Sequence, residues 1–360
     1  MGNQRLKRAR LALHEAELDV LAVSCSTNIR YLCGFSGSAG VLLITDQDAV
    51  LFTDGRYTDQ AREEVLGKQT KVRIVRKSAL GAAGEWISTR KSARKVGFEA
   101  THLTVADKRV LAAGVGRRAK LVEAPAIIAK LRMVKDREEI AKIREACRLA
   151  AGLFPSLLNV VRPGLSESEV AGDLEFRARK GGADQMAFPT IVAGGIRSSL
   201  PHGRASMAPI PVKGFVVCDF GVILAGYCSD MTRTLHVGRP QAEARFGYEA
   251  VREAQQAALA AVKPGATAGE VDLAARKVLR GKGLGKFFTH STGHGVGLDI
   301  HEAPRLATGQ TERLTPGMVI TVEPGIYLSG KWGVRIEDTV VVTEKGCEIL
   351  TACRKDLVTV

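Results

Sequence analysis

Two aspartates, Asp219 and Asp230, stand inside the apolar run VVCDFGVILAGYCSDMT, residues 216–232. An unpaired carboxylate among strand-forming residues costs on the order of several kcal/mol, so each must be solvated, ion-paired or bound to a cation. A second run, VITVEPGIYLSGKWGVRIEDTVVV, residues 319–342, carries Glu323 and Glu337 in the same way. Between the two runs lies HSTGHGVGLDIHE, residues 290–302, with His290, His294 and His301. Four acids in apolar strands and a cluster of imidazoles are the donor set of a divalent metal site. The competing reading is that the acids flank loops or pair with Arg233 and Arg335.

The organisation around these residues favours the metal. PGLSESEVAGDLEFRARKGG from Pro163 and PGATAGEVDLAARKVLRGKG from Pro264 share Pro-Gly, a Ser/Thr, Glu-Val and a basic amphipathic helix ending in glycine, 101 residues apart. Asp219 and Glu323, each followed by glycine two residues on, lie 104 residues apart. Two copies of one helix-and-strand unit predict a domain with an internal pseudo-two-fold repeat. Folding the first hairpin about position 224.5, beside Ala225-Gly226, sets Asp219 opposite Asp230; folding the second about Gly330 sets Glu323 opposite Glu337. Directly opposed residues of an antiparallel pair have Cβ atoms about 4.5–5.5 Å apart, within reach of one cation. Oxygen donors in that number suit Mn²⁺ or a similar ion better than an all-cysteine zinc site, and a histidine from 290–302 completes the set. The His290/His294 spacing resembles a zinc-binding helix, but Gly293, Gly295 and Gly297 argue against a helix and for close approach of backbone to a ligand or metal. His202, in PHGRAS after the glycine-rich AGGIRSS, is a loop histidine or a substrate contact; His14, His102 and His236 have no such company.

At 360 residues the chain is expected to form two domains. Residues 1–125 alternate an amphipathic helix, Leu6–Glu17, with the strand patterns DVLAVS, VLLIT, AVLFT, KVRIV, KVGFE and AKLVEA, an α/β arrangement with a hairpin turning at Asp46–Asp48. GFSGSAG, residues 34–40, precedes a strand and lacks GK[ST], so it reads as a turn, not a phosphate loop. The second domain, 126–360, opens with Asp136 as an N-cap, Glu139 three residues on, and Ile140, Ile143, Cys147 and Ala150 along one helical face. The net charge of +14 is diffuse, 21 Lys/Arg against 13 Asp/Glu in residues 1–125 and 31 against 25 beyond, and with 5% aromatics and no base-reading motif nucleic acid is not an expected partner. The seven scattered cysteines read as reduced core residues. No run approaches the roughly 20 apolar residues of a membrane span, and the N-terminus has no signal-peptide core; the expected location is the cytoplasm.

The ordered set Asp219, Asp230, His294, Glu323 and Glu337, within VCDFG, SDMTRT, HSTGHGVGLDIHE, VEPGIY and RIEDT, resembles the pita-bread metallopeptidase family that includes methionine aminopeptidase, prolidase and aminopeptidase P. GFSGSAG and FTDGRYTDQA resemble the creatinase-like N-terminal domain of aminopeptidase P and prolidase. The resemblance implies a creatinase-like α/β domain over 1–125 and an α+β pita-bread catalytic domain over 126–360. It implies two divalent ions, Mn²⁺ first and Co²⁺, Fe²⁺ or Zn²⁺ as alternatives, with Asp219 and Asp230 chelating, Asp230 and Glu337 bridging, and His294 and Glu323 completing one site. It further makes Glu323 the general base, places His202, His301 and Arg335 around the scissile bond with His290 close by, and implies a homodimer. The expected activity is release of the N-terminal residue from peptides with proline second, as in aminopeptidase P, with Xaa-Pro dipeptidase the alternative. A metal-free creatinase-type enzyme or a non-catalytic binding relative would not need all five ligands.

Overall fold

The computed structural model describes residues 2–65 and 69–360, in two units, Met1–Arg132 and Met133–Val360. The division falls late in the helix Ile127–Met133, beyond the boundary near 125.

The first unit is built on one mixed six-stranded sheet, ordered 70–75, 49–54, 41–44, 20–23, 95–98, 120–123. The six strand patterns all form strands of this sheet. Val41–Ile44 and Ala49–Asp54 pair as the expected hairpin, and the Thr45 hydroxyl closes its turn by accepting from the Asp48 backbone N–H at 2.8 Å. The helix Gly2–Glu15 buries Leu6, Ala9 and Leu13, one face at helical spacing. Gly34, at φ 89°, ends the helix Ser26–Cys33, so the glycine-rich stretch is a helix stop leading into a strand.

The second unit carries the repeat. Asp136 caps the helix Arg137–Val160 with the full reciprocal box to Glu139, and Ile143, Cys147 and Ala150 are buried along it. The duplicated segments become the helices Glu167–Lys180 and Ala268–Gly281, each entered through a capping box, Ser166 with Glu169 and Thr267 with Glu270. Such caps contribute about 1 kcal/mol each and fix where each helix begins. The first half's sheet orders 231–237, 214–220, 191–194; the second orders 302–306, 293–295, 319–322, 338–342, 347–349. Each packs against its own helices in a separate apolar cluster, one around Leu174, Val216 and Phe220, the other around Val251, Leu279 and Ile320. Full burial of each aliphatic side chain is worth roughly 1.5–3 kcal/mol. The halves meet where Glu337 donates its backbone N–H to Thr232 O (3.1 Å) and Arg335 donates its own to Thr234 Oγ1 (3.1 Å).

The two acid-bearing hairpins differ in register. In the second, Val322 pairs with Asp338 and Gly325 with Arg335, which sets Glu323 opposite Glu337 about Gly330 as expected. In the first, Leu224 pairs with Tyr227 and Asp219 with Thr232, so Asp219 does not face Asp230. The tight turn has positive φ at Ala225 (49°) and Gly226 (81°), the hairpin turn that wants glycine second. Folding about 224.5 would have put Leu224 and Ala225 in those positions. The two aspartates are therefore diagonal neighbours on one face, still within reach of a shared site.

Candidate metal centre and active site

Asp219 is the penultimate residue of the strand Gly214–Phe220, Asp230 immediately precedes Met231–Val237, and His294 is the middle residue of the short strand Gly293–Gly295. Glu323 follows Val319–Val322, and Glu337 lies between Trp332–Arg335 and Asp338–Val342. All five side chains line one cavity of about 670 Å³, together with His202, His290, His301 and Arg335. The donor atoms of Asp230, His294 and Glu337 lie within 4.8 Å of one another. His294 Nε2 is 3.5 Å from Asp230 Oδ2 and 3.4 Å from Glu323 Oε1. Its Nδ1 donates to Gly295 O at 3.0 Å, which leaves Nε2 as the lone-pair atom facing the carboxylates.

This arrangement is electrostatically incomplete. Burial, then the Glu337, Asp219 and Glu323 carboxylates, push the Asp230 carboxyl well above its usual range; burial with Glu323 and Asp219 does the same to Glu337. Glu323 is pushed up to about 8 by burial and Asp219, although Arg335 works against them. Burial, with His301 nearby, brings His294 down to about 4, the neutral form a metal requires. Asp219 Oδ1 and Glu337 Oε1 are buried with no hydrogen-bond partner among the described residues. Native buried carboxylate oxygens are normally bonded. Clustered acids, two orphaned oxygens and an imidazole lone pair facing the same space fit a divalent cation set.

The remaining valences are tied down by Arg335 and by three residues that the sequence reading did not single out, Thr232, Thr321 and Tyr327. Thr232, opposite Asp219, donates to Glu337 Oε2 (2.7 Å), and Thr321 donates to Glu323 Oε1 (3.2 Å). Arg335 donates to Asp219 Oδ2 (2.5 Å), Thr232 Oγ1 (3.1 Å), Pro201 O (3.1 Å) and the Tyr327 hydroxyl (2.6 Å). Tyr327 in turn donates to His290 Nε2 at 3.0 Å, because His290 Nδ1 is committed as donor to Ser291 O at 2.7 Å. A line of polar groups thus runs from Asp219 through Arg335 and Tyr327 to His290.

Arg335 and His290, both expected as substrate contacts, are engaged on protein groups in this structure. Arg335 is 3% exposed with its nitrogens engaged on protein, and both His290 ring nitrogens are taken. His202 and His301 are exposed within the cavity lining, with the His301 ring 4.4 Å from that of His294. Of the two arginines named as ion-pair alternatives, Arg335 does pair with a site acid, while Arg233 pairs with Asp338 at 2.7 Å. The glycines flanking His294 also serve a different purpose. A Cβ on Gly293 would stand 2.0 Å from Thr321 O, and one on Gly295 2.3 Å from Ala303 O, so they admit neighbouring strands and not the metal itself.

Residues 141–344 match the model of metallopeptidase family M24, and residues 5–134 match the creatinase/prolidase N-terminal domain. The chain belongs to metallopeptidase family M24. This M24 chain is similar to the solved Xaa-Pro dipeptidase from Bacillus anthracis, at 39% identity and a TM-score of 0.96 over 100% of both chains. It is 36% identical to the Xaa-Pro dipeptidase of Pyrococcus furiosus over 98% of this chain and 99% of that protein. It also resembles the solved X-Pro aminopeptidase from Thermotoga maritima, at 36% identity and a TM-score of 0.89, over 97% of this chain and 100% of that one. The chain's fold is a creatinase N-terminal domain followed by an M24 pita-bread domain, and the enzyme is a metallopeptidase of a family that works with divalent metal ions. No helix among the described residues is long and apolar enough to cross a membrane.

Proposed function

We propose that this M24 enzyme hydrolyses the Xaa-Pro bond of dipeptides, with two divalent ions, Mn²⁺ foremost, held by Asp219, Asp230, His294, Glu323 and Glu337. The observation that carries the metal-dependent reading is the pair of buried, unpartnered oxygens, Asp219 Oδ1 and Glu337 Oε1, beside a neutral imidazole. Divalent ions in such a set polarise the scissile carbonyl and make water a nucleophile near neutral pH. Glu323, at the cavity wall and paired only weakly through Thr321, receives the proton of the attacking water. His202 and His301 line the cavity and are exposed to it, and in this reading His202 is the donor to the oxyanion. Arg335 holds Asp219 and the His202 loop through Pro201 O, acting through them and not on substrate.

The preference for dipeptides rests on two guanidiniums. Arg204 and Arg305 line the cavity, are exposed, and make no side-chain hydrogen bond or ion pair among the described residues. A dipeptide carries its carboxylate one residue beyond the scissile bond, and a free guanidinium binds carboxylate in two-pronged fashion. The names of the Bacillus and Pyrococcus relatives point the same way. The similarity to the Thermotoga enzyme favours the second reading, an aminopeptidase acting on longer peptides that begin Xaa-Pro. Hydrolysis of an Xaa-Pro dipeptide, its C-terminal amide and an Xaa-Pro tripeptide is compared in added Mn²⁺. The dipeptidase reading requires the free dipeptide to be preferred and that preference to fall in Arg305→Ala; faster tripeptide cleavage establishes the aminopeptidase instead. A homodimer is the proposed solution state, and a fully active monomer by light scattering would refute it.

A further inference from the structure

Each half of the duplicated domain buries one carboxylate whose bonds go to a loop bearing an active-site histidine. Glu167, the first residue of the helix Glu167–Lys180, is 0% exposed. It accepts from Gly194 N (2.8 Å), Arg197 Nε (3.0 and 2.9 Å), Ser206 N (3.1 Å) and Ser206 Oγ (2.7 Å). A carboxylate has about four lone-pair directions, and these donors all come from the two ends of the segment 194–206, which carries His202. Arg197 also donates to Arg204 O (2.8 Å), drawing the segment closed.

The second half repeats the device. Asp272, in the equivalent helix Ala268–Gly281, is likewise 0% exposed. It accepts from Thr292 N (3.2 Å), Thr292 Oγ1 (2.8 Å), Thr308 Oγ1 (2.8 Å) and Arg276 Nε (2.7 Å). Arg276 donates onward to Phe288 O (3.1 Å) and His290 O (2.5 Å). Thr292 stands two residues before His294, and its carbonyl accepts from Glu323 N at 2.8 Å, so Asp272 holds the backbone between two of the metal-holding residues.

We propose that Glu167 and Asp272 are positioning residues with separate duties: Glu167 sets His202 for turnover, and Asp272 sets the His294–Glu323 edge for metal binding. This rests on the metal-dependent peptidase reading. Glutamine at 167 or asparagine at 272 keeps the shape but points N–H groups at donors. Displacing a catalytic group by about 1 Å costs roughly 100-fold in rate, and losing an outer-shell partner costs about 10–100-fold in metal affinity.

The test uses the full chain, with Mn²⁺ affinity from electron paramagnetic resonance, steady-state kinetics on an Xaa-Pro dipeptide, and backbone hydrogen exchange. Glu167→Gln should lower kcat about 100-fold with KM and Mn²⁺ affinity within about threefold, and quicken exchange in 194–206 alone. Asp272→Asn should weaken Mn²⁺ binding about 10-fold or more, a defect that excess Mn²⁺ relieves. Equal loss of both properties in both variants, as from a generally weakened fold, overturns the proposal, as does an unchanged kcat in Glu167→Gln. Should Glu167→Gln not fold, Ser206→Ala and Arg197→Lys each remove part of the clamp; a selective fall in kcat supports it and wild-type rates in both refute it. If the wild-type chain cleaves no Xaa-Pro peptide, the peptidase reading fails, while the exchange and Mn²⁺ measurements still decide whether the two clamps act as described.

Discussion

Removing the metal should make the folded state sensitive to pH in a window where few other groups titrate. Glu323 is pushed up to about 8 in the metal-free site, against an ordinary carboxyl near 4.5. The folded protein therefore holds a proton that the unfolded chain has released. That contribution is fully present below about pH 4.5 and is lost as pH rises through 8. His290 and His294, lowered by burial to about 4, act in the opposite sense, but only between about pH 4 and 6.5. From pH 6.5 to 8 the carboxyl dominates. One proton over 1.5 pH units corresponds to about 2 kcal/mol at roughly 1.36 kcal/mol per unit, and the raised Asp230 and Glu337 add in the same direction. Urea unfolding of EDTA-treated protein, followed by Trp332 fluorescence in a Trp86→Phe background, should show this loss between pH 6.5 and 8. Mn²⁺ at one fixed concentration, 100 times its Kd at pH 6.5, should add about 2.7 kcal/mol there and more at pH 8, where binding has to displace less proton and the Kd is lower. Metal-free stability that is flat or rises across this window would refute the picture of four carboxylates crowded around a missing charge.

Two substitutions probe the same centre from different sides. Glu323→Gln should fold and bind peptide yet lose at least about 10²-fold in kcat, the low end of a general base's worth; near-wild-type turnover removes its proposed role. Gly293→Ala forces a Cβ to 2.0 Å from Thr321 O, so the strand bearing His294 must move; Mn²⁺ affinity should fall by about 10-fold or more, and an unchanged titration would show that this close approach does not set the ligand.

Much of the site was legible because its residue types contradict their surroundings. Asp219 and Asp230 in an apolar run must be solvated, ion-paired or bound to a cation, and the matched Glu323 and Glu337 repeat the requirement. The capping pairs Ser166/Glu169 and Thr267/Glu270 lie in sequence as they lie in space, since a cap is local. Register was less accessible. In the first hairpin it hangs on which residue takes the second positive φ, and Gly226 wins over Ala225, shifting the pairing so that Thr232 and not Asp230 faces Asp219. The duties of Arg335 and His290 were hidden for another reason. Whether a side chain is free for substrate depends on how many of its donors and acceptors are already taken, and Tyr327, four residues after Glu323, accepts from Arg335 and donates to His290 Nε2. The glycines around His294 signalled close approach, but only the fold shows that it is a strand they admit.

The duplication explains why the cluster is tolerated at all. A single hairpin with two buried acids would have to neutralise both from its own half. Here Thr232 of the first half donates to Glu337 of the second, and Arg335 of the second half donates to Asp219 of the first. Each half thus supplies the counter-group for the other half's acid, and neither set is complete alone. The exchange is partial: one oxygen each of Asp219 and Glu337 is left bare, facing the cavity that His294 also faces. A fully satisfied network would bind nothing. The two oxygens left open by this junction between repeats are the ones that the proposed cations would take up.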